Sequence, residues 1–411
     1  MLLKKFFCRF TFGDHCITHI YLVLFVAVAS WRPFSHGNVH SDPNQEEAWP
    51  QGWGQLTPKG MAQHVVLGSK LKARYIDELK FVNARYLNKE IYVRSTDMNR
   101  TLTSAISNMI GFYCSGVPGK DYPGKEEAHL WPHRFTPVAV HTIASYEDHI
   151  IPDVSEVPCP RQSKILKILT KTPEYRQLIE DKKQLFLDLS YFAGQKIDIF
   201  NFWLVADALF IEDLYRNELP YPMPEWTQNK TMREEIKKVN CLLDEWTNGK
   251  GICAFEGVQF DIELPRIRGG PMLWILIDNM RNKLLDCLLS SVVDSHLCDW
   301  IQDKKYFAYS AHDTTIAALF STLGFNKTNY DVDGYPHYSA CVTFELWRNA
   351  TSLEPYVKVL HWPPNMASFE EVTRNITGCE TNCTFARFIE RSTIFKPMPS
   401  PDEYCKDTHF P

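Results

Sequence analysis

The sequence predicts an α/β protein: a doubly wound mixed sheet with an inserted helical cap. Three observations carry this. Short strand-like runs at 90–93 and 305–310 each lead directly into a helical pattern. Between 151 and 284 strand signals thin out and charged helical segments such as PEYRQLIEDKKQLFLDLSYF take over. After that block the strand signals return, and they end in two further strands. The expected division is an α/β domain over 30–150 and 285–411, a helical cap over 151–284, and an apolar leader over 1–29.

In chain order, the leader comes first. Lys4, Lys5 and Arg9 form a basic region before the apolar run IYLVLFVAVA (20–29), and Ala27-Val28-Ala29 fits a small-x-small cleavage site. The run is too short to span a bilayer, so it reads as a signal peptide or as a buried strand. WPQGWGQL (49–56) is a turn-rich loop. Thr57 then caps a helix with Pro58 in its first turn, and Met61, Val65, Gly68, Tyr75 and Leu79 mark its expected buried face. EIYV (90–93) is a strand, RTLTSAISNMIGFY a helix. Past the cap, KYFAYS is a strand, AHD a junction and TTIAALFSTLGF a helix. SACVTFELW and PYVKVLHW are the last strands.

With 411 residues the chain can bury a large core. Its net charge of -5 is spread without long runs, which excludes nucleic acid as the main partner, since backbone binding needs a basic stripe. None of the twelve cysteines stands in paired C-x-x-C spacing, so no zinc site is expected, and no cofactor. Six N-x-S/T sequons occur, at Asn99, Asn229, Asn326, Asn349, Asn375 and Asn382. Three of these fall after residue 345 beside close-spaced cysteines. That clustering predicts a glycosylated, oxidised product of the secretory pathway. No later apolar run predicts a membrane span.

Two strand-to-helix junctions carry the chemistry. In YVRSTDMNRTLTSA, Arg94 ends a strand and Ser95, Thr96 and Asp97 can cap the helix that follows. Strand carboxyl ends are where open α/β sheets bind ligands, helix N-termini favour anions, and a guanidinium can grip a phosphate with two bonds. A surface arginine paired with Asp97 fits the same residues. In YSAHDTT, His312 can hold a phosphate oxygen while Asp313 protonates a leaving alcohol. A plain helix cap is the simpler alternative there.

Together these motifs resemble the histidine acid phosphatase family, which includes prostatic and lysosomal acid phosphatases. The resemblance runs from about Asp42 onward. It rests on WPQGWGQLTPKGMAQHVVLG, YVRSTDMNRTLTSA, AVHTIASYED around His141, YSAHDTT, and Cys159, Cys379, Cys383 and Cys405. It implies an α/β domain with a helical cap, and metal-free hydrolysis of phosphate monoesters at acid pH through a phosphohistidine. Arg94 would bind phosphate, as would His312, and Asp313 would donate the proton. It also implies disulfides Cys379–Cys383 and Cys159–Cys405. The substrate would be a small phosphomonoester or a phosphoprotein, the compartment extracellular or lysosomal, and a homodimer is compatible with it. Cys341 matches a paired family cysteine, but DALFIEDLYRN, where its partner belongs, has none. A cysteine of the 241–298 block is one candidate partner, and the sequence does not decide it. Cys8, Cys16 and Cys114 read as free buried thiols.

The family's signature R-H-G-x-R-x-P, source of the nucleophilic histidine and two arginines, is missing. One register places its Arg-His-Gly on Ala27, Val28 and Ala29, its second arginine on Trp31 and its proline on Pro33. Another uses His36-Gly37, with Ser35, Val39 and Ser41 replacing the arginines and the proline. The first is preferred, because the second puts Pro33 into the end of a strand. Cleavage after Ala29 would then remove the family's central strand. The sequence therefore reads as an incomplete or alternatively spliced phosphatase, or as an inactive relative that still binds anions at Arg94 and His312.

Overall fold

The computed structural model describes residues 11–12 and 15–23 by their backbone, and 49–52, 54–132, 135–151, 157–219, 223–284, 300–325, 336–363 and 366–410 in full. Both registers proposed for the missing motif lie outside these residues, as do Cys8, Cys287, Cys298 and Asn326.

Eight described strands form one mixed sheet. They are β1 (Thr11–Phe12), β2 (His15–Val23), β3 (Ile91–Ser95), β4 (Val140–His141), β5 (Tyr306–Ser310), β6 (Cys341–Asn349), β7 (Pro355–Trp362) and β8 (Glu370–Glu371). The order is β4-β3-β5-β2-β6-β7-β8, with β1 paired to β2. β5 is parallel to both β3 and β2, while β2, β6, β7 and β8 pair antiparallel in turn. Part of the leader thus stands in the sheet interior as β2, hydrogen-bonded to β5 on one side and β6 on the other.

The first helices are α1 (Pro58–Lys72), which continues as a π-helical turn to Glu78, and α2 (Asn99–Phe112). Next come α3 (Pro160–Leu169), α4 (Pro173–Asp181), α5 (Lys183–Ala193), α6 (Phe202–Leu214), α7 (Lys230–Thr247) and α8 (Phe260–Arg268). The last are α9 (Gly270–Leu284), α10 (Asp313–Leu323), α11 (Phe385–Ser392) and α12 (Pro401–Lys406).

Strand alternation sends side chains to two opposite cores. Tyr306 and Ala308 of β5 face α1 and α2, whereas Phe307 and Tyr309 face α9, α10 and α11. Helices on both faces make the sheet doubly wound, as the sequence predicts. α1 and α2 cross at two glycines: a Cβ on Gly68 would lie 2.0 Å from the Asn108 carbonyl oxygen, and one on Gly111 would lie 2.1 Å from that of Val65. Gly68, Tyr75 and Leu79 are buried as expected. His64, Leu67, Gly68 and Leu71 are buried, while Met61 and Val65, expected inside, are only half-buried. The π-helical turn has its own reason. Arg74 and the Tyr75 hydroxyl both reach the fully buried Glu345 of β6, which also accepts from the Trp347 indole. A buried carboxylate so fully satisfied pins α1 to the sheet.

Helices α3–α8 share a separate core, which Tyr404 and Cys405 of α12 also enter. These helices are tied to the tail by Cys159–Cys405; Cys379–Cys383 staples the segment before α11. Helix α9, counted with the cap from its sequence, packs Met272, Leu273, Leu276 and Ile277 into the sheet core beside α10. The open question of Cys341 resolves without a partner: it is a free, fully buried thiol, its pKa pushed well up by burial. Cys114 is free but exposed, not buried. Among the described residues no helix is long and apolar enough to cross a membrane.

Candidate active site

β3 and β5 lie side by side in parallel register, Arg94 opposite Tyr309 and Ser95 opposite Ser310. The chain leaves both strands at the same edge, and Thr96 N still donates to the Ser310 carbonyl at 3.0 Å. The two helices that follow therefore start next to each other. Ser310 Oγ donates to the Thr101 carbonyl (2.8 Å), and the hydroxyls of Thr96 and Thr101 lie 2.7 Å apart. β2 runs parallel to β5, with Val23 opposite Tyr309, so its carboxyl end opens at the same edge.

His312 caps α10 and is 8% exposed. Its Nε2 lies 3.2 Å from Thr96 Oγ1, and its Nδ1 lies 3.5 Å from Arg100 Nη2. A guanidinium can only donate, so in a neutral imidazole this contact makes Nδ1 the acceptor and Nε2 the donor. Asp313, next in the chain, is half-buried and accepts from Thr314 N at 2.7 Å. A carboxylate in a helix's first turn is favoured by the helix dipole.

Arg94 is buried and its partner is Asp148, not the exposed Asp97: Nη2 to Oδ1 is 2.6 Å. The same Oδ1 accepts from Ile150 N and Ile151 N at 3.0 and 3.1 Å. From the cap, Asp207 of α6 accepts from the Tyr338 hydroxyl at 3.0 Å. Burial and then the charge of Asp313 push its carboxyl up to about 7, against the Tyr338 hydrogen bond and the charge of Arg100. One field thus joins Asp207, Asp313 and Arg100. The loop after Trp49 comes near Arg100: Gly54 has φ +71°, and a Cβ there would stand 3.9 Å from Arg100 Nη1.

The three residues singled out from sequence, Arg94, His312 and Asp313, all stand at this sheet edge. Arg100, Asp148, Asp207 and Tyr338 were missed; Thr96 was expected, with Ser95 and Asp97, to cap α2, but Met98 stands at that cap without a side-chain bond and Thr96 meets His312 instead. Arg100 and Asp148 lie inside motifs already quoted, Arg100 six residues past Arg94 and Asp148 54 residues past it. Asp207 lies in DALFIEDLYRN, which drew notice only for lacking a cysteine. Among the described residues no group of three or more His, Cys, Asp or Glu could hold a metal ion. The site's donors are instead two guanidiniums, an imidazole and hydroxyls, a set suited to a phosphate or similar anion.

Comparisons with known proteins give the family and the fold. Residues 21–361 match the family model described as histidine phosphatase superfamily (branch 2). Rat lysosomal acid phosphatase is 30% identical over 360 residues, which cover 85% of this chain and 71% of that protein. Human prostatic acid phosphatase is 28% identical over 373 residues, covering 85% and 79%. In fold, the chain is similar to a Hafnia alvei phytase solved with myo-inositol hexakis sulphate, with a TM-score of 0.64, 14% identity, and coverage of 96% and 99%.

Proposed function

The chain belongs to the histidine phosphatase superfamily, branch 2, and from that membership we propose that it binds phosphate monoesters where β3 and β5 end. Arg94 and His312, with Arg100, grip the phosphoryl group, and Asp313 faces the leaving oxygen as a proton donor. The observation that carries this reading is the 3.2 Å contact between Thr96 and His312, which brings two independent anion-favouring junctions into one site.

Turnover is a separate matter. Hydrolysis through a phosphohistidine splits one displacement into two and needs a nucleophilic histidine flanked by positive charge. No Arg-His-Gly tripeptide occurs anywhere in the 411 residues. The chain as written therefore holds its ligand without hydrolysing it. A second reading, an acid phosphatase that uses another histidine such as His36, draws support from one observation. The acid pair Asp313 and Asp207 is kept, and a pure binder has no use for a proton donor.

β2 also bears on the fate of the leader. Cleavage after Ala29 would strip an interior strand and leave the β5 and β6 edges unpaired, at a cost of several backbone hydrogen bonds. We read residues 15–23 as a retained strand. Passage through the secretory pathway to an extracellular or lysosomal compartment is supported by the two disulfides and by the exposed sequon asparagines Asn99, Asn229, Asn375 and Asn382. Calorimetric titration with inorganic phosphate tests the binding reading. The chain should bind it, and Arg94→Ala and His312→Ala should each weaken binding by roughly tenfold or more. Unaltered affinity in both variants would dismiss the site.

A further inference from the structure

We infer that Asp148 is the positioning residue for Arg94, setting the direction from which that guanidinium meets a phosphate. The inference rests on the binding role proposed above for Arg94. By charge alone a carboxylate 2.6 Å from an anion-binding arginine ought to oppose anion binding, since it offsets the positive charge. The local geometry points the other way.

Three donors converge on one oxygen: Arg94 Nη2, Ile150 N and Ile151 N all meet Asp148 Oδ1. The turn from Asp148 to Ile151 is itself fixed, because Ile151 is fully buried in the sheet core with α9 and α10. The carboxylate is thereby a rigid post. Arg94 is the penultimate residue of β3, paired with His141 of β4, and its side chain is 7% exposed. Its contact with the post uses Nη2 alone. Nε, which is buried, and Nη1 make no hydrogen bond among the described residues, so these donors stay uncommitted while the plane is held. A long side chain fixed before its ligand arrives loses less rotamer freedom on binding. Asp148 closes the segment AVHTIASYEDHII, far from either junction in sequence, and acts only through Arg94.

The test compares the full chain with Asp148→Asn and Asp148→Ala. Inorganic phosphate is titrated into each, and hydrogen exchange of the Arg94 Nε–H is followed by NMR. Asn keeps an oxygen acceptor for the three donors, so phosphate affinity should stay within about threefold of wild type and the Nε–H should stay protected. Ala removes the post. Affinity should fall roughly ten- to hundredfold, the scale of a charge-assisted hydrogen bond. The Nε–H should exchange faster, and an added Arg94→Ala should cost little more. Equal or tighter phosphate binding by Asp148→Ala would overturn the positioning role and leave Asp148 as an opposing charge. An unchanged Nε–H in Asp148→Ala would overturn it too, whether or not phosphate binds. Wild-type chain that ignores phosphate while the Nε–H responds as expected would instead strike at the binding reading and remove the ligand from this role.

Discussion

The imidazole Nε2 of His312 lies 3.2 Å from the hydroxyl of Thr96, and through that contact the two strand-to-helix junctions become one site. The residues are 216 apart in sequence. They meet because β3 and β5 are parallel neighbours in register. With the neutral ring protonated on Nε2, the hydroxyl accepts a hydrogen bond from Nε2–H and so fixes the ring while Arg100 approaches from the other nitrogen. Thr96→Val keeps the shape and removes the acceptor. It should weaken phosphate binding several-fold, by about 1 kcal/mol, with the fold intact. Calorimetry and circular dichroism check both halves, and unchanged affinity would separate Thr96 from the site.

Asp313 is assigned proton donation, not anion binding. Asp313→Asn should therefore leave phosphate affinity equal to or above wild type, because it removes a negative charge near the ligand. A clear loss in the same titration would make Asp313 part of the grip.

The stability of the cap should fall as pH rises. Asp207 and Glu212, both on α6, have carboxyls raised to about 7, in each case mainly by burial. Below about 4 these groups are protonated in the folded and unfolded states alike, and the full stability is present. Between about 4 and 7 the unfolded chain releases protons that the folded one keeps, so stability declines through that window. His361, lowered to about 4 by burial and by His337, works in the opposite sense as pH falls below its ordinary range. Two carboxyls outweigh one imidazole, so Tm should drop from pH 5 to pH 7. Asp207→Asn with Glu212→Gln should flatten the slope. A slope that survives both substitutions would remove α6 from this account.

The two disulfides should differ in value. Cys159–Cys405 closes a separation of 246 residues and docks α12 on the cap, whereas Cys379–Cys383 closes one of 4. Chain-entropy reasoning favours the longer loop. Replacing Cys159 and Cys405 by serine should cost about 2–5 kcal/mol, and replacing the other pair less. Denaturant titration of the two double variants ranks them, and the reverse order would contradict the argument.

The α1–α2 crossing should tolerate no side chain. In Gly68→Ala the new methyl meets backbone carbonyl of α2, which cannot swing aside as a side chain could. The expected loss is about 1–3 kcal/mol or more. Full stability in this variant would mean that the helices can part without cost.

Local chemistry explains what could be read from the sequence. β7 spans Pro355–Trp362, the run expected from its composition, and the β5–His312–Asp313–α10 junction follows from a short aromatic-rich run that gives way to a helical pattern. What stayed hidden depends on chain folding. Asp148 meets Arg94 across 54 residues, and Tyr338 meets Asp207 across 131. Periodicity shows that a helix has a buried face and not what the face meets. Hence α9 looked like cap and packs on the sheet, and Met61 looked buried where His64 is. The half of the site that the family draws from its signature loop has no counterpart motif in this sequence to read.

The most direct test of the central claim, a phosphate site without turnover, is hydrolysis of 4-nitrophenyl phosphate at pH 5 by the chain as written, with His312→Ala measured beside it. The account predicts no release of nitrophenol above background from either protein, while wild type still binds inorganic phosphate. Release by wild type that His312→Ala abolishes would contradict it and assign the chemistry to a histidine outside the lost motif.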